Sequence, residues 1–350
     1  MRSPSTDVVG APLSAVPAIA GRERQPDGYR LVEGLRMTRE EPGDFLHRPV
    51  MVREVVDVLR GVPAGLLVDA TVGGGGHSAA LLDAHPGLSL LGLDRDPDAL
   101  VAAGERLAPF TGRVRLAHAR FDRMAEFVGD AVVVAALFDL GVSSPQLDRA
   151  ERGFSYRQAG PLDMRMDPGG GVTAADVVNT YPAHRLAALF RANGEARFAS
   201  RIARAIVAAR PLSDTAELAE TVRVAIPAAT RRHGGHPARR VFQAIRIEVN
   251  GELDVLTDAL DVALGLLAPG GRLAVISYHS GEDRIVKAAF AAAATGGCTC
   301  PPAMPCVCGA VPVHRLVFRG SRTPSADELA ANRRAESARL RVIERTGAAT

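Results

Sequence analysis

Short apolar runs alternate with helical patterns through the first half of this 350-residue chain. The runs occupy residues 66–69, 88–93, 114–117 and 132–138, and apolar residues at helical spacing lie before and between them. Such short runs are typical of buried strands, and strands that alternate with helices form a parallel sheet covered on both faces. The sequence therefore predicts an α/β protein with a doubly wound sheet.

The alternation stops near residue 150, and up to about residue 260 the chain shows helical patterns without a convincing strand pattern. Strand-like runs return at 273–277, after the turn residues 268–271, and again at 314–318 and 340–343. We therefore predict three parts: a sheet domain from residues 45–149 and 256–350, a helical insertion from residues 150–255, and a disordered N-terminal extension over residues 1–44.

Composition narrows the class of protein. The four cysteines all lie between Cys298 and Cys308, whereas a secreted, disulfide-stabilised protein spreads its cysteines along the chain. No run approaches the ~20 apolar residues that span a bilayer. The formal net charge is only +3, so a surface that binds a polyanion would have to be local. These features predict a cytoplasmic protein with no membrane partner, and they leave the oligomeric state open.

A glycine-rich segment follows the first predicted strand, where residues 69–78 read Asp-Ala-Thr-Val-Gly-Gly-Gly-Gly-His-Ser. Glycines at this position let the backbone approach a ligand, because they have no Cβ. Asp94 ends the second predicted strand and Asp139 ends the fourth, so three strand ends face one crevice. A carboxylate at the position of Asp94 is suited to accept hydrogen bonds from ribose hydroxyls. The arrangement predicts a nucleotide-like cofactor.

The glycine spacing separates two classes of cofactor. A dinucleotide-binding fingerprint requires G-x-G-x-x-G. Counted from Gly73 its last position is Ser78, and counted from Gly74 it is Ala79, so neither start fits. S-adenosylmethionine has no phosphate and needs no pyrophosphate-binding turn. The segment therefore favours S-adenosylmethionine and argues against a nicotinamide-dependent dehydrogenase.

Six blocks of sequence resemble, in their order, one known family. They are residues 69–78, Leu-Asp-Arg-Asp at 93–96, Phe-Asp-Leu-Gly-Val-Ser-Ser-Pro-Gln-Leu-Asp at 138–148, Glu-Arg-Gly-Phe-Ser at 151–155, Gly-Pro-Leu-Asp-Met-Arg-Met-Asp at 160–167, and residues 280–287. Together they are similar to the MraW family of ribosomal RNA methyltransferases over residues 47–346. The resemblance implies a class I, Rossmann-like, S-adenosylmethionine-dependent methyltransferase fold.

The resemblance also implies which residues contact the cofactor. They are Gly75, Gly76, His77, Asp94, Phe121, Asp139 and Gln146. Their chemistry fits, since Phe121 can stack on adenine and either Asp139 or Gln146 can bond polar atoms of adenine or of the methionine part. Within the glycine run we expect Gly75 and Gly76 to contact the cofactor, while Gly73 and Gly74 shape the turn.

The substrate that the resemblance implies is a cytidine in the decoding centre (the P-site region) of 16S rRNA in the small ribosomal subunit, methylated on N4. The lone pair of this exocyclic amine is delocalised into the ring, so the enzyme must accept a hydrogen bond from the amine and remove a proton. Carboxylates suit a cytosine N4 donor, and the base must leave its stack to react. Our candidates around the amine are Asp139, Ser144 and Asp163.

Two positions near the predicted crevice have a structural alternative to a functional role. Asp163 could equally form an arginine–carboxylate pair within its own segment. His279 follows the fifth predicted strand, where it either positions the substrate or caps the next helix. The sequence leaves both choices open.

The predicted insertion is rich in arginine, as RNA binding requires. Residues 184–250 contain 12 arginines against five acidic residues. Arg197, Arg201 and Arg204 follow i, i+4, i+7 spacing and are expected to share one helix face, with the apolar Ile202 and Ile206 opposite. Residues 231–240 form a second basic segment. We predict that the insertion is a phosphate-binding lid over the substrate RNA.

The four cysteines form the pattern C-x-C-x₅-C-x-C, at Cys298, Cys300, Cys306 and Cys308. Four thiolates this close could hold a tetrahedral structural zinc ion. Reduced thiols in a loop, or two disulfides formed on oxidation, are the alternatives.

Two other functions are compatible with these patterns. The chain could be a methyltransferase of the same fold that acts on DNA or on another RNA base. It could instead be a nucleotide-binding protein that interacts with RNA without catalysis. Methyl transfer to small ribosomal subunits, but not to naked DNA, would separate these possibilities.

Overall fold

The computed structural model describes residues 49–228, 236–301 and 306–347. The predicted extension at residues 1–44 lies outside this range, as does the first half of the basic segment 231–240. Among the described residues, no helix is both long and apolar enough to cross a bilayer.

The centre of the molecule is a seven-stranded sheet. Its strands are β1 (Gly65–Asp69), β2 (Leu88–Asp94), β3 (Val114–His118), β4 (Val133–Asp139), β5 (Leu267–Ser277), β6 (His314–Leu316) and β7 (Arg339–Arg345). The order across the sheet is β3-β2-β1-β4-β5-β7-β6, with β1 to β5 parallel and both β5–β7 and β6–β7 antiparallel. All seven predicted strands are present, and the doubly wound sheet is confirmed.

Thirteen α-helices lie around and beyond this sheet in the described part of the chain. They are α1 (Val52–Leu59), α2 (Gly76–Ala84), α3 (Pro97–Leu107), α4 (Ala125–Val128), α5 (Ser144–Asp148), α6 (Ala174–Thr180), α7 (Ala183–Ala192), α8 (Ala199–Ala208), α9 (Thr215–Ala225), α10 (Arg239–Asn250), α11 (Leu256–Leu266), α12 (Ser280–Thr295) and α13 (Ala326–Ala331). Seven of them, α5 to α11, follow β4 before the chain returns to the sheet at β5.

The two faces of the sheet are covered by different helices. Side chains alternate along a strand, so Leu67 joins one apolar cluster with residues of α1, α2 and α3, while Leu66 and Val68 join another with residues of α11 and α12. Both faces are therefore buried, which explains why the strands read as continuous apolar runs instead of alternating ones.

The helices α6 to α10 have a hydrophobic core of their own, and its buried members in the described part of the chain lie between residues 154 and 245. Phe190, Ile202 and Phe242 are among its large side chains. This separate core agrees with the predicted helical insertion, whose bounds at residues 150 and 255 stay a prediction.

One local prediction is wrong. The turn expected at residues 268–271 is part of β5, which begins at Leu267. The register against β4 shifts between Val133 and Ala135, and Gly270 has a φ of 79°. The glycine accommodates this irregularity in the pairing, so the same residues that signal a turn here form a bulge-like distortion of a strand.

Candidate active site

A cavity opens at the carboxyl ends of β1, β2, β4 and β5, where the strand order reverses between β1 and β4. This switch point is where open α/β sheets bind ligands. Its lining includes Thr71, Gly73, Gly74, Gly76, His77, Asp94, Phe121, Asp139, Ser143, Gln146, Met166, Asn250, Glu252 and Tyr278. The structure thus brings together most of the predicted cofactor residues.

The glycine segment is held by the buried carboxylate that precedes it. Asp69 accepts hydrogen bonds from Ser78 Oγ (2.6 Å) and from the Thr71 N–H (3.3 Å). Burial raises the pKa of Asp69 to about 6, in spite of these hydrogen bonds. Because Asp69 is not part of the cavity lining, we interpret it as the residue that fixes the loop between β1 and α2.

The glycines that line the cavity are not the ones expected to contact the cofactor. Gly75 has a φ of 73°, and a Cβ there would meet Leu107 of α3 at 3.2 Å. It packs toward α3 and is absent from the lining, whereas Gly73, Gly74 and Gly76 line the cavity. Gly75, in the left-handed conformation, forms the turn directly before the first residue of α2. Gly73 and Gly74 therefore face the cavity, while Gly75 does not.

Asp94 lines the same cavity and is hydrogen-bonded to this loop. Its Oδ2 accepts a hydrogen bond from the Gly73 N–H, and its Oδ1 accepts one from the Asp96 N–H, both at 2.9 Å. Burial raises the pKa of Asp94 to about 6. Phe121 also lines the cavity and packs edge-on against Phe138, with ring centroids 5.6 Å apart. A carboxylate and an aromatic ring are thus placed for a ribose and a purine.

Asp139 ends β4 on the side of the glycine loop away from Asp94, and each of its oxygens has a polar neighbour. Tyr278 donates its hydroxyl to Oδ1 (2.7 Å), and His77 Nδ1 lies 3.6 Å from Oδ2. Burial raises the pKa of the Asp139 carboxyl, although both neighbours oppose this. Burial and the adjacent carboxylate also raise the pKa of Tyr278 well above its ordinary value. Asp139 is therefore a better proton acceptor than an exposed aspartate.

The second ring nitrogen of His77 orients the imidazole. Nε2 lies 2.9 Å from the carbonyl oxygen of Val50, so Nε2 carries a proton and donates it to that oxygen. The other ring nitrogen, Nδ1, is the one that faces Asp139. His77 is buried, and it connects the segment before α1 to the centre of the cavity.

The segment after β4 contributes different residues from those predicted. Ser143 lines the cavity, whereas the predicted Ser144 is absent from the lining. Gln146 lines it but uses both ends of its amide inside the protein: Nε2 donates to Asp96 (2.8 Å) and Oε1 accepts from the Ser143 N–H (3.1 Å). Gln146 therefore fixes the start of α5 as well as forming part of the wall.

Asp163, the third residue predicted near the amine, is placed elsewhere. Its carboxylate accepts two hydrogen bonds from the Arg165 guanidinium, at 2.9 and 2.7 Å, and it is not part of the cavity lining. Burial raises the pKa of Asp163, but the Arg165 hydrogen bonds outweigh it and leave the pKa below its ordinary value. The structure thus shows the arginine–carboxylate pair, which was the alternative to a catalytic role.

The segment at 160–167 instead supplies a wall of the cavity through Met166. Arg152 donates to Asp96 (2.9 Å) and to the Met166 carbonyl (3.0 Å), and Asn250 bonds the Met166 N–H (2.9 Å). Both Met166 and Asn250 line the cavity. The helices between β4 and β5 are therefore anchored directly to the sheet end where the site lies.

The sequence reasoning gave no role to several lining residues. Tyr278 directly follows the strand run 273–277, so its position facing the crevice was expected and only its role was not. Thr71 had a weaker signal inside the glycine segment, and its Oγ1 accepts the Asp139 N–H at 2.7 Å. Asn250 and Glu252 had none, since they reach the cavity only through the packing at the end of α10.

His279 is the N-cap of α12. Its Nδ1 accepts hydrogen bonds from the N–H groups of Gly281 (3.1 Å) and Glu282 (3.4 Å). It is absent from the cavity lining, so the capping alternative describes its place in the structure.

The predicted RNA-contacting arginines are exposed. Arg201 and Arg204 lie on α8, and Ile202 and Ile206 on its other side are buried, as predicted. Arg197 departs from the prediction because α8 begins at Ala199, which leaves it in the preceding turn. In the parts of the chain that the structure describes, neither Arg201 nor Arg204 has a carboxylate partner.

The sheet order, the glycine loop and the two strand-end carboxylates define a class of protein: the class I S-adenosylmethionine-dependent methyltransferase fold. Within this class the chain belongs to the MraW methylase family, which it matches over residues 44–346.

Relatives agree with this assignment. Ribosomal RNA small subunit methyltransferase H of Thermobifida fusca is 53% identical over 86% of this chain and 93% of its own. The protein of the same name from Heliobacterium modesticaldum is 50% identical over 86% of this chain and 99% of its own. Among solved structures, an rRNA methylase from Streptococcus thermophilus covers 85% of this chain and 95% of its own, with 13% identity and a TM-score of 0.38, which is too distant to add to the argument.

Proposed function

We propose that this protein transfers a methyl group from S-adenosylmethionine to N4 of a cytidine in the decoding centre of 16S rRNA. The names of its relatives support a substrate in the RNA of the small ribosomal subunit. The observation that carries the choice of chemistry is the half-buried Asp139, an acceptor with a raised pKa that shares one cavity with Asp94 and the glycine loop.

The residues of the cavity suggest one orientation for the cofactor. When bound, S-adenosylmethionine supplies a methyl group activated by its sulfonium. We propose that Asp94 accepts hydrogen bonds from the ribose hydroxyls and that Phe121 stacks on the adenine. Gly74, Gly76 and His77 would then hold the methionine part, and the side of the cavity at Asp139, α5 and Tyr278 would be left for the substrate base.

Asp139 performs the proton transfer in this proposal. Its carboxylate accepts a hydrogen bond from the N4 amine and holds the nitrogen in line with the methyl group. As the N–C bond forms and the S–C bond breaks, one N–H bond breaks and its proton passes to Asp139. The Tyr278 hydroxyl and His77 keep the carboxylate oriented during the transfer.

The substrate must present an unstacked cytosine to this cavity. We propose that the helices between β4 and β5 bind the surrounding RNA through the exposed cations Arg197, Arg201 and Arg204. The hydrogen bonds of Arg152 and Asn250 to the backbone of Met166 join this part of the chain to the cavity wall, which supports the assignment.

The experiment incubates the protein with S-adenosylmethionine and one of three substrates: small ribosomal subunits that lack the mark, free 16S rRNA, or DNA. Nucleoside mass spectrometry then identifies the methylated product. N4-methylcytidine in 16S rRNA, at one position on digestion mapping, is the expected result. A different methylated base, or methylation of DNA, would refute the substrate. Cofactor binding without any transfer would point to the non-catalytic alternative.

A further inference from the structure

The four cysteines lie together in the loop between α12 and β6. Cys298 Sγ is 3.4 Å from Cys306 Sγ and 3.6 Å from Cys308 Sγ, and the sulfurs of Cys306 and Cys308 are 3.4 Å apart. All four sulfurs, including that of Cys300, lie within 4.8 Å of one another. Four thiol groups from two separate C-x-C pairs thus converge on one point.

These distances match a single tetrahedral ion. Sulfurs bound to zinc at about 2.3 Å in a tetrahedron lie about 3.8 Å apart. A disulfide would bring two sulfurs to about 2.05 Å, and no pair of these cysteines is bonded. Iron–sulfur clusters place irons and sulfides between the cysteine sulfurs, which separates them further than one ion does.

Packing does not explain why the cysteines converge. Cys306 and Cys308 are exposed, and the neighbouring Val307 and Val311 are 89% and 69% exposed. A thiol is only a weak hydrogen-bond donor and acceptor, so thiol–thiol contacts in water contribute little. The Val307 N–H points at Cys300 Sγ at 3.4 Å, as backbone N–H groups do around metal-bound thiolates. Something other than an apolar core must therefore hold this loop.

We propose that Cys298, Cys300, Cys306 and Cys308 bind one Zn²⁺ ion as a structural site. Four thiolates fill the tetrahedron and leave no open position, so the ion has no role in methyl transfer. It links Cys298 and Cys300, after α12, to Cys306 and Cys308, before β6, beside the exposed Val307 and Val311.

The experiment measures metal content in the reduced full-length protein purified without chelator. We expect about one zinc per chain by elemental analysis. Cobalt replacement should give the intense visible absorption of a tetrahedral thiolate site. The double variant Cys298→Ser/Cys308→Ser removes one ligand from each pair, and its zinc content should be at least about tenfold lower. Thr299→Ala, an exposed change between two of the cysteines, is the matched control and should keep it.

Several results would overturn the proposal. One is a zinc content below about a tenth of an ion per reduced chain. Another is that all four thiols react freely with a thiol reagent while no metal is released, and a third is that the protein contains iron in place of zinc. The wild-type metal content and cobalt spectrum do not depend on how the variant folds. They also do not depend on activity, so the zinc proposal and the proposed methyl transfer can fail separately.

Discussion

Asp139 differs from the other carboxylates of the cavity in that both its oxygens are directed at groups that can share a proton. Asp139→Asn keeps the size of the side chain and an oxygen for the Tyr278 hydroxyl but removes the proton acceptor. We expect the rate of methyl transfer to fall by about 10² or more, the range for loss of a general base. Cofactor affinity, measured by calorimetry, should change only a few-fold. A near-normal single-turnover rate would remove Asp139 from the proton transfer.

Tyr278→Phe serves as the matched variant for that comparison. It removes the 2.7 Å hydrogen bond that Oδ1 accepts and leaves the carboxylate in place. Since that hydrogen bond lowers the pKa of Asp139 against the effect of burial, its loss should raise the pKa further. We expect the activity to fall less than in Asp139→Asn and its acidic limb to move to higher pH. A pH–rate profile that does not move would contradict this arrangement.

Asp94 gives cofactor binding a pH dependence with a definite sign. Its pKa in the folded protein is about 6, and the deprotonated carboxylate is the form that accepts hydrogen bonds from ribose hydroxyls. Affinity should therefore rise as pH increases through 6, by about tenfold between pH 5 and pH 7. Titration calorimetry at several pH values tests this. Asp94→Asn should bind more weakly and lose this part of the pH dependence, whereas an unchanged profile would place the ribose elsewhere.

At the level of elements, the turn from β1 into α2 depends on Gly75. Any other residue there must adopt a φ of 73°, and its Cβ would lie 3.2 Å from the Leu107 side chain. We expect Gly75→Ala to lower the free energy of unfolding by about 1–3 kcal/mol. The control is Gly104→Ala in α3, where the new Cβ has only ordinary contacts. This change should raise the free energy of unfolding by up to about 1 kcal/mol. Chemical denaturation measures both, and a neutral Gly75→Ala would show that the turn can relax.

The strands were predictable because both faces of the sheet are buried, which turns each strand into a short apolar run that the sequence displays directly. Asp94 and Asp139 were predictable for the same reason, since each ends such a run. The roles of Gly75 and Ser144 were not, because they depend on which way a turn points after the strand. Asn250 and Glu252 enter the cavity through contacts between distant segments, and no local pattern encodes such contacts.

For the whole molecule, the question is how a chain with a net charge of only +3 binds RNA. The exposed Arg201 and Arg204 lack carboxylate partners among the described residues, so they are free to neutralise phosphates. Arg201→Ala/Arg204→Ala should weaken RNA binding at low salt and reduce the slope of log affinity against log salt by about 1–2. Cofactor affinity should not change, because neither residue lines the cavity.

Arg223→Ala is the control for that double variant. Arg223 is an exposed arginine on α9, but it already pairs with Glu220, so its removal deletes a cation that is locally neutralised. We expect its salt slope to equal that of the wild type. If the two variants behave alike, net charge alone governs binding and α8 has no specific role. If only the α8 variant changes, the basic surface lies on the helices between β4 and β5, where their anchoring at Arg152 and Asn250 brings the bound RNA to the catalytic cavity.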